Sequence, residues 1–573
     1  MAANKGLFGA FGGRSTLDRL RDPDALDAVV SGPTLTVGVS DPWVGTPGRS
    51  FAAETADGCC ALWGEAYLPT DAGADPGRWL LSQYAERGRE ALAELNGSYV
   101  VALEHASRGP LVATDAVRSR ECYYAIVDGE RAFGTDPAAL SRTLVDPDVR
   151  AEPLLEFLQF GAVLGDRTVL AGLDRLPFDG GLTPAGPVHL DRFVYEPQSF
   201  DYVGELAARL RRALERRDGL PGRAGALLSG GYDSRLLLSG ISGIDVAYTL
   251  GRAESSEVGV ARRVAGQYGV GHRTLELDDR YIGTDWSTVQ YGHGLMESLH
   301  VHHGGYTDRM DVDVVYHGAL GDTLLRGHFL PLDGVDLFEH TCPPYRLDPD
   351  PDVAEHFAGK FGYRPECDRF LETDAVPEDD GVAFLRRRVS EVLEGHDERF
   401  ASTYDGMALF GVQNQPTRSF RFHLIDHFLE SCVAVDSELV DWHLSTPPTH
   451  RNTRTFLRAI RRLDGDLLRH RPPDRPYDSY TLNQVRNFVR RTLPGVDAYE
   501  GPWPDRGRLY DRTGLDRTAF ADEPSVRRLP WRVKLRVNDL ATWLDRANTG
   551  PAARPTDLLS TAAAPRPPGG TSD

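Results

Sequence analysis

The segment Leu227-Leu-Ser-Gly-Gly-Tyr-Asp-Ser234 limits what this chain can fold into more than any other stretch. An apolar run enters a Ser-Gly-Gly turn, and a helical pattern leaves it. The glycines admit positive φ and allow the backbone to approach a ligand closely. Free amides of the turn and of the helix start then face that ligand, which favours an anion such as pyrophosphate. Ser229 and Ser234 add hydroxyl donors. Asp233 is a poor neighbour for bare phosphate, but it makes sense as a ligand of Mg²⁺ bridging phosphate oxygens. The bland alternative is a tight strand-to-helix turn that merely needs glycine. A strand–SGGxDS–helix string is far more specific than a lone pair of glycines. No Gly-Lys-Ser/Thr follows, so a Walker A loop is excluded.

The pattern around this turn alternates. Strand Ala224–Leu228 is followed by helix Arg235–Ser239, strand Asp245–Leu250, helix Ser256–Tyr268 and strand His272–Leu277, with another strand at Val312–Tyr316. Such alternation predicts a doubly wound parallel sheet. An amphipathic helix, Tyr202–Arg217, precedes it. Before residue 195 the grammar is different. Short apolar runs between turn signals predict strands at Thr34–Val39, Gly58–Trp63, Gly97–Leu103, Gly109–Thr114 and Cys122–Val127. Helical patterns fall at Pro76–Arg87 and Leu154–Gly165. Layered sheets with helices outside are expected there. Residues 380–550 are helical in pattern, for example Val382–Leu393 and Leu439–Leu444. The Pro-, Ala-, Gly- and Thr-rich tail, 551–573, is expected to be disordered.

Charge narrows the partners. The 573 residues carry 84 acidic and 64 basic side chains, a net charge of -20, and Lys5, Lys360 and Lys534 are the only lysines. A diffuse acidic excess argues against a nucleic-acid or anionic-membrane surface, which needs a basic footprint. Low Lys with high Asp fits a salt-rich cytoplasm and a GC-rich genome equally well. The six cysteines, at 59, 60, 122, 342, 367 and 432, match neither a zinc spacing nor a disulfide framework. Inert thiols in a reducing compartment are expected. No run of 18 apolar residues and no signal pattern occurs, so the expected location is the cytoplasm.

The phosphate-type loop resembles the pyrophosphate loop of the N-type ATP pyrophosphatases. The later motifs resemble asparagine synthetase and its relatives. These are Tyr248-Thr-Leu-Gly251, Ser256-Glu257, Gly271-His-Arg-Thr-Leu-Glu276, Val314-Val-Tyr-His-Gly-Ala-Leu-Gly-Asp322, Val435-Asp-Ser-Glu-Leu-Val-Asp441, Leu444-Ser-Thr-Pro-Pro448 and Arg454-Thr-Phe-Leu-Arg458. The resemblance implies ATP and Mg²⁺. Asp233 and Asp322 would share Mg²⁺–pyrophosphate, and Ser229, Gly230, Gly231 and Ser234 would hold the phosphates. Leu228 and Leu250 would line the adenine or ribose site, with His317 and Gly318 near the nucleotide. The first 195 residues resemble the family's glutaminase domain through Gly6-Leu-Phe-Gly9, Trp63-Gly-Glu-Ala-Tyr67, Leu95-Asn-Gly-Ser-Tyr-Val100, Cys122-Tyr-Tyr124, Ala132-Phe-Gly-Thr135 and Leu173-Asp-Arg-Leu-Pro177. The implied architecture is an N-terminal-nucleophile αββα sandwich over 1–195. A PP-loop synthetase domain, with a helical C-terminal part, would cover 200–550.

Several positions depart from the family. Its N-terminal nucleophile is a Cys after the initiator Met, and here that residue is Ala2. The family's Tyr-Asn after Gly-Glu is Tyr67-Leu68, and of its Arg-Asp pair only Asp115 remains, after Thr114. A silent glutaminase half beside an active synthetase, as in β-lactam synthetases, is therefore expected. In the second loop Ala319 stands where the family has Glu, and Arg454 stands where it has a catalytic Lys. Arg454 can neutralise pyrophosphate charge but stays protonated and cannot serve as a base.

The expected activity is ATP-dependent amide formation between a small-molecule carboxylate, aspartate by default, and ammonia or an amine. The assembly is left open between monomer and homodimer. The alternatives are a nucleotide-binding homologue without turnover and a specialised β-lactam or macrolactam-type synthetase. A thiolating or tRNA-modifying pyrophosphate-loop enzyme is disfavoured by the acidic charge and the lack of catalytic Cys pairs. His293, His300, His302 and His303 cluster before the second loop, but they lack a defined metal-ligand spacing. Arg418 and Arg421, near Asn414-Gln415, fit either a synthetase-site stretch or a salt-bridged helix face. Arg211-Arg212 and Arg461-Arg462 are expected to be solvated.

Overall fold

The computed structural model describes the chain except residues 1–4, 70–72, 74, 334, 338–339, 343–345, 362–369, 478, 493–503, 548–553 and 563–573. Its strands are β1 (Gly6–Phe11), β2 (Ala28–Ser31), β3 (Thr36–Ser40), β4 (Phe51–Thr55), β5 (Gly58–Tyr67), β6 (Asn96–His105), β7 (Gly109–Thr114), β8 (Tyr123–Val127), β9 (Glu130–Gly134), β10 (Leu173–Arg175), β11 (Gly180–Thr183) and β12 (Gly186–His189) in the first half. The second half adds β13 (Ala224–Leu227), β14 (Ile244–Gly251), β15 (Gly271–Glu276), β16 (Val314–His317), β17 (Val335–Leu337), β18 (His340–Cys342) and β19 (Leu429–Cys432).

The first half stacks two six-stranded antiparallel sheets, ordered β10-β8-β9-β1-β3-β2 and β12-β11-β7-β6-β5-β4. The period of two in β5 shows why. Cys59, Ala61 and Trp63 point between the sheets and join Val37, Val100 and Val112 in one core. Cys60 and Leu62 point the other way, onto Leu80, Leu81 and Tyr84 of helix Pro76–Arg87. A strand covered on both faces needs apolar residues at every position, so β5 appears in the sequence as a continuous run. Helix Arg14–Leu20 covers the outer face of the other sheet, against β1, β3 and β9. The layers are thus helix, sheet, sheet, helix.

The second half carries a five-stranded parallel sheet, ordered β15-β14-β13-β16-β19. The first three strands run outward to one side of β13 and the last two to the other. The order therefore reverses between β13 and β16, and in open α/β sheets the crevice beyond the strand ends at that point is where ligands bind. The loops after β13 and after β16 are the two the sequence singles out.

One expectation changes. The tail is not wholly irregular, because Pro555–Ala562 is a helix with Leu558 and Ala562 buried against helices Ala151–Phe160 and Trp531–Arg546. Its proline occupies the first helical position, where a missing N–H costs nothing. Composition averaged over the tail hides this short amphipathic stretch. The two halves share a core. One hydrophobic cluster runs from Leu154 and Phe160 through Met296 and Phe384 to Leu535, and Ala162 bridges Met296.

Candidate active site at the sheet's switch point

The loop after β13 is folded on itself. The Ser229 N–H donates to Ser234 Oγ at 3.0 Å, the two hydroxyl oxygens lie 3.1 Å apart, and the Gly231 N–H donates to Ser229 Oγ at 3.1 Å. A carboxylate oxygen of Glu257 accepts from the Gly230 N–H at 3.3 Å. Arg235, fully buried, holds the turn from behind. Its guanidinium donates to the carbonyls of Gly230 and Gly231, each at 2.7 Å, and to those of Leu467 (2.9 Å) and His470 (2.6 Å). In a trans peptide the next residue's N–H opposes the carbonyl, so drawing the Gly230 and Gly231 carbonyls to one side turns the Gly231 and Tyr232 N–H groups to the other.

The loop after β16 packs directly on this turn. A Cβ on Gly318 would lie 2.9 Å from the Asp233 carbonyl carbon and the Ser234 nitrogen, and one on Gly321 would lie 3.2 Å from Asp233 Cβ. Between them Leu320 adopts φ 65°, a left-handed conformation that non-glycine residues rarely hold. Asp322 follows in the first turn of helix Gly321–Leu325. Its Oδ1 accepts from the Thr323 N–H at 2.8 Å, and His328 Nδ1 lies 3.6 Å from Oδ2. Asp233 Oδ2 accepts from Arg326 at 2.5 Å, while its Oδ1 is buried with no hydrogen-bond partner. Burial raises the Asp233 carboxyl above the ordinary carboxylate range, Arg326 opposes this, and the neighbouring Asp322 adds to it. An orphaned, buried carboxylate oxygen beside a second carboxylate is an all-oxygen donor set that suits a hard cation such as Mg²⁺.

A cavity of about 920 Å³ opens from this junction. Tyr232, Asp322 and Arg326 line it at the loop end. Helix Thr453–Leu463 contributes Arg454, Arg458 and Arg461, at positions i, i+4 and i+7 of one face. His356 and Lys360 come from helix Val353–Lys360. Crowding by the walls lowers the Lys360 ammonium, and the Asp322 charge works against that shift.

The structure thus brings Asp233 and Asp322 together, with Arg454 on the wall of the cavity that opens beside them. Ser229, Gly230, Gly231 and Ser234 form the turn behind, and Gly318 lies against it. Leu228 and Leu250 are buried at the ends of β13 and β14. His317 is engaged elsewhere. It is 1% exposed, with Nε2 2.7 Å from Glu430 in the seam between the halves. Arg326, His328, His356 and Lys360 are site residues that the sequence did not announce. Only Arg326 left a trace, four residues after Asp322 on the same helical face. Arg461 is exposed, as expected, and also lines the cavity.

The remaining candidates resolve as structure. Glu121 receives Arg175 and Arg418, and Glu430 receives Arg421, His317 and Arg120, all buried between the halves. His293 stacks on Phe422 with ring centroids 4.7 Å apart and meets the Tyr123 hydroxyl at 2.8 Å. His300 meets Glu297, and His302 meets the Tyr281 hydroxyl. Among the described residues, only His317, Glu430 and Cys432 approach a three-ligand metal geometry. Arg421 and Arg120 already neutralise Glu430 there, so a dication would face two guanidiniums. Burial pushes the Cys59 thiol up to about 12 and Cys432 to about 11, which leaves both unreactive near neutral pH. In the first half, Ala2 lies outside the described residues. Asp115 is tied up locally, accepting from the N–H groups of Tyr99, Val117 and Ser119 and from the Ser119 hydroxyl. No helix among the described residues is long and apolar enough to cross a membrane.

No family model matches the chain, and no curated protein matches it. Among solved structures it shows slight likeness to the glutamine phosphoribosylpyrophosphate amidotransferase from B. subtilis complexed with ADP and GMP. The identity is 10% over 47% of this chain and 65% of that one, with a TM-score of 0.20. A structure described as the allosteric regulatory enzyme of purine biosynthesis gives 11% identity over 56% of this chain and 75% of that one, with a TM-score of 0.22. Likeness this slight decides nothing about the site.

Proposed function

We propose that the protein is an ATP-dependent, amide-forming ligase of the asparagine synthetase type with a silent glutaminase half. One observation carries this reading. The two loops at the sheet's switch point set Asp233, with its unpartnered buried oxygen, beside Asp322 at the mouth of a cationic cavity. Asp233 and Asp322 would hold Mg²⁺, whose chemistry there is to neutralise charge on phosphate oxygens as pyrophosphate leaves. The loop amides and Arg454 face the same developing charge.

In the first step an oxygen of the substrate carboxylate bonds to the α-phosphorus of ATP. The bond from that phosphorus to the bridging oxygen breaks, and pyrophosphate departs with the electron pair. In the second, ammonia or an amine bonds to the acyl carbon, AMP departs with the carbon–oxygen pair, and the nitrogen releases a proton to solvent. Aspartate, giving asparagine, is the default substrate, and a specialised lactam-forming acid is the variant. Ala319 and Arg454, in place of Glu and Lys, favour a second reading: a homologue that binds nucleotide without turning it over.

Exchange of labelled pyrophosphate into ATP, with magnesium and a panel of acids, separates the two readings. The ligase should show acid-dependent exchange, and Asp233→Asn should cut it roughly 100-fold or more. Mg-ATP binding with no exchange across the panel would establish the second reading. Glutamine should yield no glutamate.

A further inference from the structure

The cavity, about 920 Å³, is strongly cationic. A chain of net charge -20 gathers Arg326, Arg346, Lys360, Arg451, Arg454, Arg458, Arg461 and Arg475 around one space, where Asp322 is the only lining carboxylate among the described residues. Arg326 meets Asp233, Arg346 meets Asp333, Arg451 meets Asp405 and Arg475 meets Asp474. The row on helix Thr453–Leu463 stands along one exposed face. At a rise of 1.5 Å per residue, Arg458 stands about 6 Å and Arg461 about 10 Å beyond Arg454 along the helix axis. All three line the cavity. Phosphate groups of one nucleotide are clustered and call for converging donors, as the loop after β13 supplies. Cations spaced singly along a helix fit anions spaced along a chain. At about 3.3 to 3.6 Å per extended residue, the row matches about three residues of an acidic backbone.

We propose that the acyl substrate is an extended oligocarboxylate, held along Arg458 and Arg461 while its reacting carboxyl lies near Arg454 and the two aspartates. This rests on the ligase reading for the chemistry, but the binding site stands on the arginine row alone. Arg458 and Arg461 would then set substrate specificity without touching the reacting atoms.

Calorimetry on the full chain, with tetraglutamate, aspartate and inorganic tripolyphosphate as probes, tests it at about 0.15 M salt. Tetraglutamate should bind at least tenfold more tightly than aspartate. The double variant Arg458→Gln/Arg461→Gln should lose at least tenfold of that affinity, with Mg-ATP affinity changed less than twofold. Arg458→Lys/Arg461→Lys, which keeps the charge, should recover most of it. An unchanged melting temperature in both variants guards against a folding defect. Equal binding of aspartate and tetraglutamate overturns the proposal. So does a Gln variant that leaves tetraglutamate binding intact, or one that weakens tripolyphosphate and Mg-ATP just as much. Should wild-type protein bind tetraglutamate through these arginines but fail to bind Mg-ATP, the ligase reading falls and the oligocarboxylate site remains.

Discussion

Arg235 is a buried cation facing carbonyls. Four backbone oxygens meet its guanidinium, from Gly230 and Gly231 on one side and Leu467 and His470 on the other. Desolvation brings its pKa down to about 10, which still leaves it charged at neutral pH. A planar fork can tie two successive loop carbonyls to a neighbouring segment at once, whereas an ammonium point charge cannot reproduce that span. Arg235 therefore acts as a positioning residue for the turn. Arg235→Gln should weaken Mg-ATP binding about tenfold or more, and Arg235→Lys should not restore it. The check is calorimetric affinity beside the melting temperature. A folded Arg235→Gln protein that binds Mg-ATP normally would show that the turn holds its shape unaided.

At the scale of elements, the site is a contact between two loops, and the glycines make the contact possible. Gly318 touches the Asp233–Ser234 backbone so closely that a single methyl group must push the loops apart. Gly318→Ala should therefore abolish pyrophosphate exchange while lowering the melting temperature by only a few degrees, since the strands beneath are untouched. Comparable loss from an exposed glycine such as Gly243, which has open space around it, would show that the contact is not special. These loops were legible in advance because their signals are local. A short apolar run, a glycine turn and a carboxylate at fixed spacing mark β13 and its loop, and β16 repeats the pattern. Five strands of the first half, β3, β5, β6, β7 and β8, were legible for the same reason, and β7 coincides with its predicted span, Gly109–Thr114. The other wall of the cavity was not. Lys360 and His356 sit on a helix with no motif, more than 30 residues past Asp322, and only tertiary packing delivers them. The partner of His317 was hidden for a related reason. Its place in the string says nothing of Glu430, 113 residues away, which turns its ring into the seam.

Across the whole molecule, the two halves are locked by charge as well as by apolar packing. Glu65 pairs with Arg217 at 2.9 Å, Glu121 with Arg418 at 2.7 Å, and Glu430 with Arg120 at 3.5 Å, each pair crossing between the halves with both partners buried. The arginines hold the Glu121 and Glu430 carboxyls well below the ordinary range, so stability from these pairs is lost only in strong acid, as pH falls below about 4. The window just above that belongs to histidine. Burial lowers His272, His293, His356 and His396 to about 4 and His303 to about 3. A histidine neutral in the fold and free to titrate near 6.5 when unfolded takes up its proton on unfolding, so stability falls as pH drops from about 6.5 towards about 4. Asp539 works in the opposite sense. Burial raises it to about 8, so the folded state holds a proton that the unfolded chain releases above about pH 4. Near pH 5 these histidines take up protons on unfolding while Asp539 releases one, and the histidines outnumber it. Urea unfolding between pH 7 and pH 4.5 should therefore show a steep, continuous loss of stability. Asp539→Asn should steepen it by about one proton, because the opposing group no longer titrates. A flat profile across that window would mean that water reaches these imidazoles in the folded protein. The halves would then be held by their arginine pairs without any acid-sensitive core.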